Sequence, residues 1–164
     1  MRFWSALIVL TFFSFNSTSA TRCPSTINPG EGVESYLSAM QHHRFEDAYS
    51  FVTSNMTDGR SMQDWARLQQ YFYIGGEVVI FGISVRNAVA LKGDSECKDK
   101  AIVPNVLRSR DKFNNQGTTE FELYSMVKEN GIWKVDSLEV LFEEKEIERW
   151  FPEDNVPIFR DQHP

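Results

Sequence analysis

The sequence predicts an α+β fold in which N-terminal helices pack on a strongly curved antiparallel sheet. In the first part of the chain, apolar residues recur at every third or fourth position, which is the period of a helix. From Glu77 onward apolar and polar residues alternate, which is the period of a strand. The alternation is interrupted at Asn130-Gly131, a dipeptide that favours the positive φ angles of a hairpin turn. Helices therefore precede the sheet along the chain.

Residues 1–20 are expected to be a secretory signal peptide. Arg2 precedes an apolar run over residues 3–15, and a polar region ends at Ala20. A helix over the apolar run would be about 20 Å long, shorter than the roughly 30 Å hydrocarbon layer of a bilayer. We therefore expect a secreted or periplasmic protein without stable membrane insertion after the leader is removed. The predicted organisation is a leader, a lead-in, a folded domain and a tail, at 1–20, 21–32, 33–142 and 143–164.

Charge and cysteine content limit the classes of partner and site. A net charge of −6 argues against nucleic acid and anionic membranes as partners. Basic residues do cluster locally at Arg108, Arg110 and Lys112, as is common in a solvated loop or an edge strand. The two cysteines, Cys23 and Cys97, are expected to form a disulfide, because export places them in an oxidising compartment. Their spacing does not suit zinc, so neither a metal nor another cofactor is expected.

Three helices are predicted before the sheet. Residues 33–40 and 45–52 carry apolar side chains at i, i+3, i+4 spacing, and a short turn or kink is expected at His42-His43-Arg44. Ser61 has the character of an N-cap, with Asp64 three residues later, so a third helix is expected from there to Gly75-Gly76.

Several strands follow the helices. The first is predicted to be bent near Asn87, with one face formed by Val79, Phe81, Ile83, Val85, Val89 and Leu91. Residues 101–112 form the next, where Pro104 indicates an edge or a bulge. The charged run at 143–149 is expected to form at least one helical turn.

The final hairpin covers residues 121–142. We predict a three-residue loop at 129–131, which places Val127 opposite Trp133, Ser125 opposite Val135 and Leu123 opposite Ser137. A bulge near Asp136-Ser137 is needed for Leu138 and Val140 to reach the side of Trp133.

This arrangement resembles the nuclear transport factor 2-like superfamily, a cone-shaped or half-barrel α+β fold of the cystatin-like type, and in particular its exported members. The resemblance covers roughly residues 33–142, and it rests on the segments Val33–Leu37, Phe45–Tyr49, Ser61–Trp65 and Asn130–Ser137. It implies a pocket at the wide end of the cone, which isomerases, dehydratases and hydrolases use and which many members use only for binding. It also implies a homodimer formed through the sheet.

Candidate site residues are the polar interruptions of apolar faces and the helical tyrosines that could reach inward. No inward-facing carboxylate is expected, because the predicted register points Asp136 away from the cone. His42, Tyr36 and Tyr49 are weak candidates for catalysis, and adjacent His42 and His43 point too far apart to share a metal ion. The expected ligand pocket consists of Tyr36, Tyr49, Asn87, Ser125, Trp133 and Ser137.

Three functions remain open at this point. The first is a binding module without catalysis, for a small apolar ligand or a protein partner. The second is a pocket enzyme of the isomerase, dehydratase or hydrolase type. The third is an assembly role in an exported complex, in which the acidic tail docks on a partner; alternatively, the tail packs along its own domain with Trp150 and Phe151 as anchors.

Overall fold

In the computed structural model, which describes residues 21–91, 94 and 96–154, three helices precede five strands and a fourth helix follows them. This order confirms the predicted α+β class. The predicted leader and residues 155–164 of the predicted tail lie outside the described residues. The elements are α1 Gly30–Gln41, α2 Phe45–Tyr49, α3 Met62–Gly76, β1 Val79–Val85, β2 Val89–Ala90, β3 Lys100–Arg110, β4 Thr118–Glu129, β5 Ile132–Leu141 and α4 Glu144–Trp150.

The N-terminal helices form where the apolar period predicts them, although α2 ends at Tyr49 and residues 50–52 of the predicted helix lie beyond it. α1 begins at Gly30 rather than Val33. The predicted turn between α1 and α2 is confirmed, with His43 in the left-handed region at a φ of 57°. The Ser61 hydroxyl oxygen accepts a hydrogen bond from the Asp64 amide at 3.2 Å, which confirms the N-cap of α3.

The sheet wraps around α1. Its strands run in the order β1-β3-β4-β5 and pair antiparallel, and short β2 also pairs with β3. α1 contacts both β1 and β5, which lie at opposite ends of that order. The approach to β5 is close, because a Cβ atom on Gly32 would lie only 2.6 Å from the Trp133 carbonyl oxygen. A sheet whose two ends reach one helix must be strongly curved, as predicted.

The predicted register of the final hairpin is wrong. The loop contains two residues, Asn130 and Gly131, with φ angles of 52° and 83°, and Met126 rather than Ser125 lies opposite Val135. Asn-Gly adopts this tight turn because its twist matches that of the strands. The turn pairs Val127 with Lys134 on the outer face, and Lys134 tolerates this position because its side chain is 24% exposed and its Nζ pairs with Glu129.

A bulge at Asp136 confirms the predicted irregularity in β5. Val135 pairs with Met126, but Ser137 pairs with Ser125, so Asp136 is the additional residue. The Thr53 hydroxyl donates a hydrogen bond to Asp136 Oδ1 at 2.7 Å and fixes it in place. Beyond the bulge, Leu138 and Val140 return to the face of Trp133.

A second bulge, at Phe81, contradicts the predicted face of β1. The register shifts between Ile80 and Gly82, so Ile80 enters the core with 6% of its surface exposed. Val79 and Phe81, which were expected on the same face as Ile83 and Val85, are 42% and 51% exposed. The predicted bend near Asn87 is confirmed, because β1 ends at Val85 and β2 begins at Val89.

α4 covers the outer face of the sheet. Its residue Ile147 and the adjoining Phe151 pack against Phe121, Leu123 and Leu141. The Phe151 ring centroid lies 5.0 Å from that of Phe121, and Phe151 is 2% exposed. The charged run therefore forms the predicted helix and packs along its own domain.

The N-terminal lead-in is tied to the middle of the chain. The Cys23 amide donates a hydrogen bond to the Ala88 carbonyl at 3.0 Å, and the Ala90 amide donates to the Thr21 carbonyl at 2.8 Å. Cys23 and Cys97 form the predicted disulfide, with their Cα atoms 5.6 Å apart. The lead-in thus lies along β2, next to the corner between β1 and β2.

Candidate functional site

A buried carboxylate lies inside the cone. Asn105 on β3 pairs across the ladder with Glu122 on β4, and both side chains face the helices. Glu122 Oε2 accepts hydrogen bonds from Asn105 Nδ2 at 2.8 Å and from the Tyr124 hydroxyl at 2.9 Å. Asn105 Oδ1 accepts from the Ser84 amide at 3.1 Å. The expectation that no carboxylate faces inward is therefore wrong, because the two-residue turn directs the even-numbered residues of β4 inward.

Burial controls the protonation of this cluster. Desolvation raises the pKa of Glu122 to about 6, although the hydrogen bonds from Asn105 and Tyr124 act in the opposite direction. Burial, together with the nearby Glu122 carboxylate, raises the pKa of Tyr73 to about 12 and also raises the pKa values of Tyr36 and Tyr124. The three phenols therefore remain protonated near neutral pH, and the Tyr124 hydroxyl donates a hydrogen bond to a carboxylate that is mostly ionised.

The predicted pocket residues do not gather in one place. Tyr36 is buried with its ring centroid 6.3 Å from that of Tyr124, and Trp133 is buried on β5. The Tyr49 hydroxyl donates to the Arg60 carbonyl at 2.8 Å, outside the cone interior.

The remaining predicted residues lie elsewhere. Ser125 and Ser137 pair with each other on the sheet face opposite Trp133, and Asn87 is exposed at the β1–β2 corner. His42 is exposed, and its Nδ1 atom lies 2.7 Å from the Ser38 carbonyl oxygen. Their roles in binding or catalysis stay predictions. Within the described ranges, no group of three His, Cys, Asp or Glu side chains is placed to hold a metal ion.

Three arginines line a cleft on the outer side of the molecule, which we call the arginine cleft. It has a volume of about 350 Å³ and lies between the lead-in, the β1–β2 corner and the end of α4. Arg22 reaches it from the lead-in, Arg86 from the end of β1, and Arg149 from α4, beside Trp150. Asn87, predicted to line the cone, lines this cleft instead. An adjoining cleft of about 510 Å³ shares Arg22, Arg86 and Asn87.

One guanidinium in the arginine cleft is already paired. Arg86 Nη2 lies 2.6 Å from Asp154 Oδ1, and Arg86 Nε donates to Asp154 Oδ2 at 3.3 Å, which is a two-point contact. Arg22 and Arg149 are exposed, and neither has a carboxylate within ion-pair distance among the described residues. Glu153 also lines the cleft, so its three basic and two acidic residues leave one excess positive charge, and an anionic group can be accepted between Arg22 and Arg149.

Two other clefts lie along the helices. One of about 620 Å³ runs between α1 and α2, and one of about 550 Å³ lies between α2 and α3. Both are lined by mixed charges, and neither they nor the two clefts beside Arg86 are lined by Glu122. Sequence reasoning missed Glu122 through the register error. It also missed the arginine cleft, because no pattern in the neighbouring sequence marks the residues that line it.

These features define a class of protein: an α+β cone with a closed polar cluster inside and a basic cleft outside. A domain of unknown function with a cystatin-like fold from Nostoc punctiforme PCC 73102 aligns with a TM-score of 0.50 and 14% identity, over 71% of this chain and 78% of that one. This likeness shows the cystatin-like fold. No family model and no curated protein matches the chain.

Two further structures align less well. A ketosteroid isomerase-like protein from Erwinia carotovora atroseptica SCRI1043 has a TM-score of 0.47 and 16% identity, over 70% of this chain and 94% of that one. Bd1075 of Bdellovibrio bacteriovorus has a TM-score of 0.47 and 15% identity, over 68% of this chain but only 39% of that one. None of the helices in the described residues combines the length and apolar character that crossing a bilayer requires.

Proposed function

We propose that the chain is an exported binding module without catalysis, and that it holds a small carboxylate-bearing ligand in the arginine cleft. The observation that carries this proposal is the convergence of Arg22, Arg86 and Arg149 on one cleft in a chain of net charge −6. Guanidinium groups recognise carboxylates through paired hydrogen bonds, and the Arg86–Asp154 contact is an internal example of that chemistry.

The ligand proposed here differs from the apolar one expected from the sequence. The cone interior is occupied by its own side chains, among which Tyr124, Met126 and Val103 are almost completely buried. The arginine cleft, in contrast, is open and has a volume within the range of small-molecule sites. Trp150 supplies a flat apolar wall beside the charges, so the favoured ligand combines an anionic group with a ring.

Benzoate is a suitable probe because it offers a carboxylate and a ring, and benzamide is its uncharged match. Benzoate should bind the oxidised protein measurably in calorimetric titration and should shift the Trp150 indole resonance, and benzamide should bind much more weakly. Arg149→Gln should weaken benzoate binding by about tenfold, the value of one charge-assisted hydrogen bond. Arg67→Gln, on exposed α3, is the matched control and should not change the affinity. Equal responses to benzoate and benzamide would refute the proposal.

Export is part of the same proposal and has its own test. The Cys23–Cys97 disulfide is compatible with an oxidising compartment. A cell fractionation experiment should find the protein outside the cytoplasm, with an N-terminus near Thr21 by mass spectrometry. A cytoplasmic protein that retains residues 1–20 would contradict this part of the proposal.

A second function, proton-transfer catalysis of the isomerase or dehydratase type, is favoured by the Glu122 cluster. With a pKa of about 6, Glu122 is ionised near neutral pH, as a general base must be. The neighbouring Tyr124 hydroxyl is protonated and donates a hydrogen bond to it. It ranks second because Glu122 is only 2% exposed, so a substrate would have to displace the residues above it. Conversion of 3-cyclohexen-1-one to its conjugated isomer, followed by ultraviolet absorbance and abolished by Glu122→Gln, would favour catalysis; no conversion above buffer would exclude it for this substrate class.

A further inference from the structure

One end of the sheet collects exposed aromatic and charged side chains from separate elements, and we call it the sheet-end surface. The pairs Val79–Arg110, Ser109–Thr118 and Phe121–Leu141 bring together the start of β1, the end of β3, the start of β4 and the end of β5. α4 begins at the same end. The β3–β4 turn is fixed there, because the Lys112 amide donates a hydrogen bond to the Gly76 carbonyl at 2.9 Å.

Three phenylalanines at the sheet-end surface are open to solvent. Phe113 in the turn and Phe142 after β5 are each 86% exposed, and Phe81 is 51% exposed. The Phe81 ring leans across the sheet end towards Gly117, where an added Cβ atom would lie 3.1 Å from Phe81 Cζ. Exposed aromatic residues gathered at one place are typical of an interaction surface.

Basic residues predominate on one side of this surface and acidic residues on the other, although Asp111 lies among the former and Lys145 follows the latter. Arg108 and Arg110 on β3 and Lys112 in the turn are exposed on one side. Glu143 and Glu144, which follow β5, are exposed on the other side. One strand, β4, separates β3 from β5, so the backbones of these two strands lie about 10 Å apart.

We propose that the sheet-end surface is the contact of a homodimer with two-fold symmetry. A two-fold axis that lies in the plane of this surface, perpendicular to the line from its basic side to its acidic side, reverses the order of the two sides, so the basic side of each copy meets the acidic side of the other. The phenylalanines lie beside the charges, with Phe113 next to Lys112 and Phe142 next to Glu143, and supply the apolar part of the contact. The charges set orientation and association rate more than affinity. A second copy is the occupant because this one surface carries both halves of the complementary pattern.

This contact differs from the face-to-face pairing through the sheet that was expected from the sequence. α4 and Phe151 cover the apolar strip of the outer face, including Phe121 and Leu141. Pairing across that strip would require α4 to leave it. The sheet-end surface is accessible with α4 in place.

A charge-swap experiment tests the proposal on the oxidised protein by sedimentation equilibrium. The unmodified protein should dimerise, and its dissociation constant should rise with salt. One variant carries Arg110→Glu and Lys112→Glu, and the other carries Glu143→Lys and Glu144→Lys. Each alone should dissociate at least about tenfold more readily, because like charges then face each other. Mixed together, the two variants should form a heterodimer, since each substituted side again faces substituted residues of opposite charge.

Matched controls separate this contact from a general effect of net charge or of misfolding. Lys98→Glu with Lys100→Glu makes the same charge change at the opposite end of β3 and should leave dimerisation unchanged. Unfolding midpoints close to that of the unmodified protein show that each variant is folded, and rescue by mixing is a result that misfolded chains cannot give. A monomer at all concentrations, or a dimer in which the two variants fail to associate with each other selectively, overturns the proposal.

Discussion

Replacing Glu122 by glutamine tests whether the cone interior carries a buried charge. Burial raises the pKa of Glu122 from 4.5 to about 6, so the unfolded chain releases this proton more readily than the folded chain. Below pH 4.5 the carboxyl is protonated in both states, and stability is unaffected by it. As the pH rises through 6, the folded state loses stability relative to the unfolded state by about 2 kcal/mol, at 1.36 kcal/mol for each pKa unit. Well above pH 6 the loss of stability is constant, because the carboxyl is ionised in both states.

The neutral amide introduced by Glu122→Gln would remove this dependence while its oxygen still accepts hydrogen bonds from Asn105 and Tyr124. The measured quantity is the difference in unfolding free energy between the Glu122→Gln variant and the unmodified protein, from urea unfolding at pH 4 and pH 7.5. We expect that difference to shift in favour of the variant by about 2 kcal/mol between the two pH values. Glu139→Gln, on the exposed part of β5, is the control for loss of a carboxylate. A difference that stays constant with pH, or moves in the opposite direction, would refute the buried-charge reasoning.

Further predictions concern the disulfide and the buried contact of Phe151, which stabilise the fold. Replacing Cys23 and Cys97 together by serine should lower the free energy of unfolding by about 4 kcal/mol, since the bond closes a long loop; an unchanged urea midpoint would contradict this. Phe151→Ala should cost about 3–5 kcal/mol, because the ring is buried against Phe121. Tyr71→Ala removes a 73% exposed ring on α3 and should be nearly neutral in the same urea unfolding measurement, so equal losses would show that α4 does not anchor through Phe151.

The fold class could be predicted from the sequence because its signals are local. Helical spacing, the Ser61 N-cap and the Asn-Gly turn each depend on a few neighbouring residues, and all three are confirmed. The disulfide was also predictable, because the sequence contains two cysteines and a leader-like N-terminus.

The faces of the strands were harder to predict. β4 is buried on both sides, with Leu123 towards α4 and Tyr124 towards the helices. The alternation of apolar and polar residues therefore does not show whether the odd- or the even-numbered residues of β4 face inward. Only the length of the turn decides this. In β1 the bulge at Phe81 reverses the parity within one strand. Glu122 was missed for this reason, since an odd-parity assignment of β4 placed it outside.

The arginine cleft could not be predicted from local patterns. Arg22, Arg86 and Arg149 come from three distant segments, and each has the ordinary surroundings of a surface residue in the sequence. Only the bend between β1 and β2, the disulfide and the path of α4 bring them together. The basic group at Arg108 and Arg110, in contrast, was visible in the sequence, but its position beside exposed phenylalanines was not.

The arginine cleft also brings together Arg22, close to the first described residue, and Asp154, the last described residue. Arg22 and Asp154 both line it, so a short linker would be long enough to connect them. The exposed turn at Asn130-Gly131, on a different part of the surface, provides a position for new chain termini. The topology is therefore suited to circular permutation, and the same proximity lets the domain be inserted as a unit into a loop of another protein.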